Sequence, residues 1–289
     1  MKPIVIITGC GYKPIKHTYK YKGKPTHNSI PINEKNYKMN IGTATAFYLT
    51  KKNIPILMVS RTKEKLKNIK EGLIKLGCDK ELISYISTDL MNNKGVNNLI
   101  SKLPKNKAFY WVQSVGMGGG SYKIPNDNIY LPFEKISPEI IKSEFEITLA
   151  THRMMLKMIK IFRKQIKNKQ KAKICIITSM SGERGYHFGA THVAAKHALV
   201  GWIKGIEKEL KDEGIEIFDI RPGAIDTGMY DNPHVSKAIK KLSKKMPNYI
   251  GNKNIPIYEP PLSVAKKIYS SLFGKNPKKI HRILAPFQK

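Results

Sequence analysis

The chain predicts an α/β fold, a doubly wound, Rossmann-like parallel sheet with helices on both faces, and three observations carry that expectation. Short apolar runs alternate with helical patterns almost from end to end, the arrangement that links parallel strands through right-handed helical crossovers. The runs read as strands buried on both faces of such a sheet. A glycine turn, Thr8-Gly9-Cys10-Gly11, leaves the first of them, at the sheet end where such folds take a ligand. The 289 residues fit one domain, 1–289, large enough to bury its core without disulfide or metal staples.

The elements follow in order. Ile4–Thr8 is the first strand. Tyr12–Lys38 is rich in Lys, Tyr, Pro and Asn without an apolar period, and reads as an insertion, either a cover over the site or a disordered segment. Helix is expected over about Ile41–Lys52, strand over Ile54–Ser60, helix over Glu64–Leu76 and strand over Ile83–Ser87. A helix near Val96–Leu103 precedes the strand Ala108–Ser114. Long helices over Pro138–Lys167 and Ala190–Glu213 flank the strand Lys173–Thr178. Ile215–Arg221 is a sixth strand, Leu262–Phe273 a helix and Lys279–Ala285 a short last strand. Residues 224–261 form a loop-rich excursion with Asn-Pro at 232–233 and Pro-Pro at 260–261, expected to shape a substrate pocket together with Met117–Asn128.

Composition narrows the function classes. The 52 basic against 21 acidic residues give a net charge of +31, yet 46 of the bases are lysine and six arginine. Dedicated nucleic-acid readers favour arginine for bidentate and stacking contacts, so no specific nucleic acid is expected. No apolar run approaches the ~20 residues of a membrane span. Three cysteines, Cys10, Cys78 and Cys175, form no ligand spacing and fit free thiols in a reducing cytoplasm. The histidines make no paired metal spacing, so no metal is expected.

Several segments carry chemistry. The helix start that matches the glycine turn comes late, as Asn40-Ile41-Gly42-Thr43, so the insertion would interrupt a phosphate loop by 27 residues. Such a loop lets a dinucleotide pyrophosphate approach the backbone ahead of a helix N-terminus. Ser60-Arg61-Thr62-Lys63 ends the second strand, where arginine accommodates a ribose 2′-phosphate and points to NADP. Ser179 stands thirteen residues before His192 and Lys196 four beyond it, so the histidine and lysine share one helix face. After the next strand comes Arg221-Pro222-Gly223-Ala224-Ile225-Asp226-Thr227.

Together these residues resemble the short-chain dehydrogenase/reductase family over nearly the whole chain. Thr8, Gly9 and Gly42 keep its Thr-Gly-x3-Gly-x-Gly, with Gly11 in the turn, Asn40 in place of the middle glycine and Ile41 beside it. Asp89, followed by Leu90, matches the acid that meets the adenine amine, and Gln113-Ser114-Val115-Gly116 stands where Asn-Asn-Ala-Gly is expected. Ser179, Lys196, Pro222, Gly223 and Thr227 fit directly, with Ile225 between the last two. The resemblance implies that lysine holds the nicotinamide ribose, serine bonds the substrate oxygen and tyrosine protonates it.

This sequence is a divergent member: His192 stands at the tyrosine position and Thr148 at the relay asparagine. Imidazole titrates near ~6.5 against ~10 for a phenol, and a neighbouring ammonium favours its neutral form, which still donates one N–H. Three readings stay open. His192 is a working donor; or the site reduces an activated C=C; or the domain is a non-catalytic NADP-binding sensor or scaffold. Gln113-Ser114-Val115-Gly116 faintly resembles the His-Ser-Ile-Gly stretch of enoyl-thioester reductases, whose tyrosine position would fall on Gly189 here. Tyr186 and His187 lie on the loop between. Retention of Ser179 with Lys196 favours chemistry. The leading expectation is therefore an atypical NADPH-dependent oxidoreductase acting on a small or carrier-bound carbonyl or enoyl substrate, in specialised or fatty-acid-like metabolism. Relatives form dimers and tetramers through the two long helices, and Met154, Met155, Met158, Ile161 and Phe162 suggest surplus apolar surface for a homo-oligomer.

Overall fold

The computed structural model describes residues 2–116, 131–186, 189–229, 231 and 258–285. Strands are numbered in chain order. Seven parallel strands form the central sheet: β1 (Ile4–Thr8), β7 (Ile56–Ser60), β8 (Ile83–Ser87), β9 (Phe109–Gln113), β10 (Ala172–Ile177), β11 (Ile215–Pro222) and β12 (Ile280–Ile283). Their order is β12-β11-β10-β9-β1-β7-β8, so the winding reverses between β1 and β9, the position at which open α/β sheets present a ligand crevice.

Helices cover both faces. α1 (Ile41–Lys51), α2 (Lys63–Lys75) and α6 (Pro261–Phe273) pack one core with Val5, Ile7, Ile56 and Met58. α3 (Asn93–Ser101), α4 (Pro138–Lys167) and α5 (Ala190–Asp212) pack the other with Ile6, Leu57 and Trp111. Successive residues of one strand thus feed opposite cores. Among the described residues, no helix is long and apolar enough to cross a membrane.

Two expectations are corrected. Met154, Met155, Met158 and Phe162 are fully buried within the second core, so they supply no surplus surface. α4 packs against both the sheet and α5, which demands a wider apolar arc than one sheet contact. The exposed apolar residues of α4 are Ile141, Leu149 and Leu156.

The insertion is also not a structureless segment. It folds into β2 (Tyr12–Pro14), β3 (Lys20–Tyr21), β4 (Lys24–Pro25), β5 (Ser29–Ile32) and β6 (Lys35–Met39). β2, β6 and β5 make an antiparallel sheet, and β3 pairs with β4. The β5–β6 hairpin turns through Asn33 and Glu34, at φ 45° and 65°, the two positive values of a tight primed turn. In β5, Ile30 and Ile32 are buried while Ser29 and Pro31 are half-exposed, a period of two that the surrounding prolines and lysines conceal. This strand lies directly on α2. A Cβ on Gly72 would fall 2.6 Å from both Ile30 Cγ1 and the Pro31 carbonyl oxygen, so glycine permits the contact.

Candidate active site

A cleft opens at the β1/β9 crossover, walled by Gly9, Cys10, Val59, Ser60, Arg61, Thr88, Asp89, Leu90, Met91, Ser114, Val115, Gly116 and Ile147. Gly9 has φ +87°, and a Cβ there would meet the Ser114 carbonyl oxygen at 2.5 Å. Only glycine lets the two strand ends close up in this way. Of the residues expected to meet a cofactor, Gly9, Arg61, Asp89, Leu90, Ser114, Val115 and Gly116 are on the cleft wall. Val59, Ser60 and Thr88 join them without a sequence signal beyond their place at strand ends, and Ile147 comes from within α4.

Others sit elsewhere. Thr8 is wholly buried, and its hydroxyl ties β1 to β9 by donating to the Val112 carbonyl at 3.2 Å and accepting from Trp111 Nε1 at 3.4 Å. Thr62 is an exposed residue at the start of α2. Gly11, Asn40, Ile41 and Gly42 form the turn beside the cleft, outside its described wall. Asn40 joins the two halves that the insertion separates. Its Oδ1 accepts from the backbone N–H groups of Gly11 at 3.1 Å and Thr43 at 2.9 Å, and its Nδ2 donates to the Gly9 carbonyl at 2.8 Å. It is thus both the N-cap of α1 and a clamp across the interruption.

The second group lies at the ends of β10 and α5. Ser179 opens a short turn, Met180–Gly182, and its hydroxyl accepts from Ser181 N–H at 3.0 Å. That turn rests on α5, because a Cβ on Gly182 would stand 3.0 Å from the Lys196 carbonyl oxygen. One turn earlier on α5, His192 Nδ1 is 2.6 Å from Glu144 Oε1 on α4. Thr148, one turn beyond Glu144, donates from Oγ1 to the Ala195 carbonyl at 3.4 Å. Thr151 accepts from Gln113 Nε2 at 2.6 Å, so one stripe of α4 reaches α5 and the β9 end. Burial pulls the Lys196 ammonium below its ordinary value, and the Glu144 and Asp219 carboxylates oppose that shift.

Sequence reasoning missed Glu144. The available signal was an acid one turn before Thr148, on the face that carries Ile140 and Ile147. The ring of Tyr186 lies on the Gly189 backbone, where a Cβ would come within 2.1 Å of it. His187 and the stretches 117–130, 232–257 fall outside the described residues, and with them most of the expected substrate loops.

The turn after β11 faces the insertion. Pro222 closes β11, Gly223 N–H donates to the Ile283 carbonyl at 2.7 Å, and Thr227 N–H to the Ile225 carbonyl at 2.9 Å. Pro222, Gly223, Ile225 and Thr227 lie outside the described wall of the cleft. Between them Asp226 is fully buried and receives Lys38 Nζ at 2.7 Å and Thr26 Oγ1 at 2.9 Å. Lys38, itself fully buried, also reaches Asp231 at 3.0 Å and lies 4.9 Å above the Tyr19 ring. The two segments that interrupt the α/β alternation are therefore fastened to each other.

A third cluster supports the Ser179 turn from behind. Arg221 is buried between Asp219, at 2.6 Å from its Nε, and Glu183, which also takes Arg282 at 2.6 Å. Hydrogen bonds from Arg282 and Arg221 hold the Glu183 carboxyl below the usual carboxylate range.

The family model described as short chain dehydrogenase matches residues 38–236. A 3-oxoacyl-[acyl-carrier-protein] reductase of Buchnera aphidicola is 40% identical over 84 residues, 29% of this chain and 34% of the relative. Human 17-beta-hydroxysteroid dehydrogenase type 3 is 25% identical over 214 residues, 73% of this chain and 64% of the relative. The chain thus spans less than two thirds of either relative's length. A solved alcohol dehydrogenase of the archaeon Thermococcus sibiricus, complexed with 5-hydroxy-NADP, superposes with a TM-score of 0.68 at 17% identity, covering 100% of this chain and 99% of that one.

Proposed function

The chain belongs to the short-chain dehydrogenase family, and from that premise we propose that it is an NADPH-dependent reductase of a carbonyl or activated C=C group on a small or carrier-bound substrate. One observation carries the proposal: the turn bearing Ser179 packs on the α5 turn bearing Lys196, with His192 one turn away. A pure binding domain has little use for Ser179.

The residues present fit the cofactor. The close approach at Gly9 leaves a backbone wall for a pyrophosphate, Arg61 supplies a cation for a 2′-phosphate, and Asp89 an acceptor for an amine. When bound, NADPH supplies the hydride. Lys196 holds ribose hydroxyls, Ser179 Oγ donates to the substrate oxygen, and His192 serves that oxygen in place of tyrosine. Thr148 links α4 to α5 at the same level. The turn Pro222, Gly223, Ile225 and Thr227 closes the nicotinamide side. The acyl-carrier reductase among the relatives makes a 3-oxoacyl thioester a reasonable member of the substrate class. Association of copies would use α4, where Ile141, Leu149 and Leu156 are exposed.

The test is NADPH oxidation over ketones, enones and acyl thioesters with wild type, Ser179→Ala and His192→Tyr. Turnover that falls at least tenfold in Ser179→Ala supports the reading. Tight NADPH binding without turnover of any class, with ketone reduction appearing only in His192→Tyr, would establish a non-catalytic binder instead.

A further inference from the structure

We infer that Glu144 and His192 work as one unit, a carboxylate–imidazole pair in which Glu144 holds Nδ1 and Nε2 exchanges the proton with the substrate oxygen. The inference rests on the reductase reading and assigns Glu144 as a positioning residue. Its basis is the 2.6 Å contact between Nδ1 and Oε1, made by side chains only 18% and 10% exposed. A carboxylate so placed must be satisfied by a donor, because an uncompensated buried charge is strongly disfavoured. Nδ1–H is that donor, which fixes the ring's tautomer.

The consequence corrects the simplest expectation for a neutral histidine. With Nδ1–H committed to Glu144, neutral His192 presents a lone pair at Nε2 and cannot donate there. Donation to a substrate oxygen requires the imidazolium, whose charge Glu144 balances. In reduction, the carbonyl carbon gains the hydride, the oxygen takes the Nε2 proton, and one solvent proton restores the neutral ring to imidazolium. In oxidation, neutral His192 takes the alcohol proton at Nε2. Among the described residues, the charged groups tied to the pair are Glu144 from α4 and Lys196 from the next turn of α5, which feels both Glu144 and the Asp219 carboxylate of β11. Glu144 therefore acts on both His192 and Lys196, and its removal affects proton exchange more than substrate binding.

The experiment combines two readouts on the full chain. The ring nitrogens of His192 are followed by ¹⁵N NMR with and without NADPH, the signals assigned with His192→Gln. Reduction of diacetyl and of an acetoacetyl thioester, and oxidation of acetoin, are followed against pH for wild type, Glu144→Gln and Glu144→Asp. The expected neutral ring carries its proton on Nδ1. Reductive kcat falls, and oxidative kcat rises, as the imidazolium titrates. Glu144→Gln removes the charge that balances the imidazolium, so reductive kcat falls and the pH profiles and ring signals change. KM stays within about twofold, and Glu144→Asp restores part of the loss. A neutral ring protonated on Nε2, or profiles and ring signals unmoved in Glu144→Gln, overturns the pair. Inertness toward all probes overturns the reductase reading and the proton-transfer step together. The tautomer then shows separately whether Glu144 positions the ring.

Discussion

β1 is gripped along both edges, by β7 and β9, and on both faces by separate apolar cores. β5, in the inserted sheet, meets the rest of the molecule chiefly through Ile30 and Ile32 on α2, while its neighbour β6 ends in the Lys38 ion pairs. The central sheet is redundant: each strand is held by many weak contacts, so no one residue decides its place. The inserted sheet is too small to stand alone and depends on a few strong, individually decisive anchors. Two regions of one chain thus reach order by different means, one by area and one by a few specific contacts.

Replacing an anchor should therefore cost more than its size suggests. Lys38→Met leaves Asp226 and Asp231 buried without their cation, and removal of one partner from such a pair costs about 3–5 kcal/mol. Urea unfolding should show that loss, and adding Asp226→Asn should recover part of it. An unchanged midpoint would mean the inserted sheet is fastened elsewhere.

Gly72→Val comes next. Its side chain would displace Ile30 and Pro31, with an overpacking cost of about 1–3 kcal/mol. Hydrogen exchange should accelerate in 29–39 and leave β9 and β10 protected, which would show that the two sheets open independently.

Arg61→Ala tests the cleft without touching either sheet. Loss of a charge-assisted contact of about 1.5–3 kcal/mol should weaken NADPH at least tenfold by fluorescence titration and leave NADH unchanged.

The smallest effect varies with pH. Because Arg282 and Arg221 hold the Glu183 carboxyl low, its contribution is present above the unfolded carboxylate value near ~4.3 and is lost as pH falls through the native value. Arg282→Ala should lower thermal stability slightly at neutral pH, where that contribution is fully present, and the difference from wild type should close as the pH falls through the native carboxyl value.

The same contrast explains what could be read from sequence. Strands such as Ile4–Thr8 and Ile56–Ser60 are legible because burial on both faces demands apolar runs. The inserted strands are half-exposed, interrupted by Pro14, Pro25 and Pro31, and turned at Lys22, Asn33 and Glu34, whose positive φ values carry little sequence signature. Ser179, His192 and Lys196 were legible because two of them share a helix face. Glu144 was not, since its partner lies 48 residues away and only tertiary packing of α4 on α5 brings them together. The methionines of α4 were legible as apolar but not as interior, because sequence does not show how many neighbours a helix has.

Tyr12 pairs with Met39 where the inserted segment leaves and rejoins the core, and between those points the backbone passes through the exposed Lys22–Gly23 tip. That tip is a natural site for proteolytic nicking. A cut there would leave β1, an interior strand of the large sheet, on the fragment that ends at Lys22, joined to the remainder by noncovalent pairing alone. A trypsin-nicked protein that keeps its shape would be a two-piece assembly, and the separated pieces a starting point for split-protein reconstitution. The appended hairpin is thus also the covalent tether of a strand inside the main sheet, beside the ligand crevice.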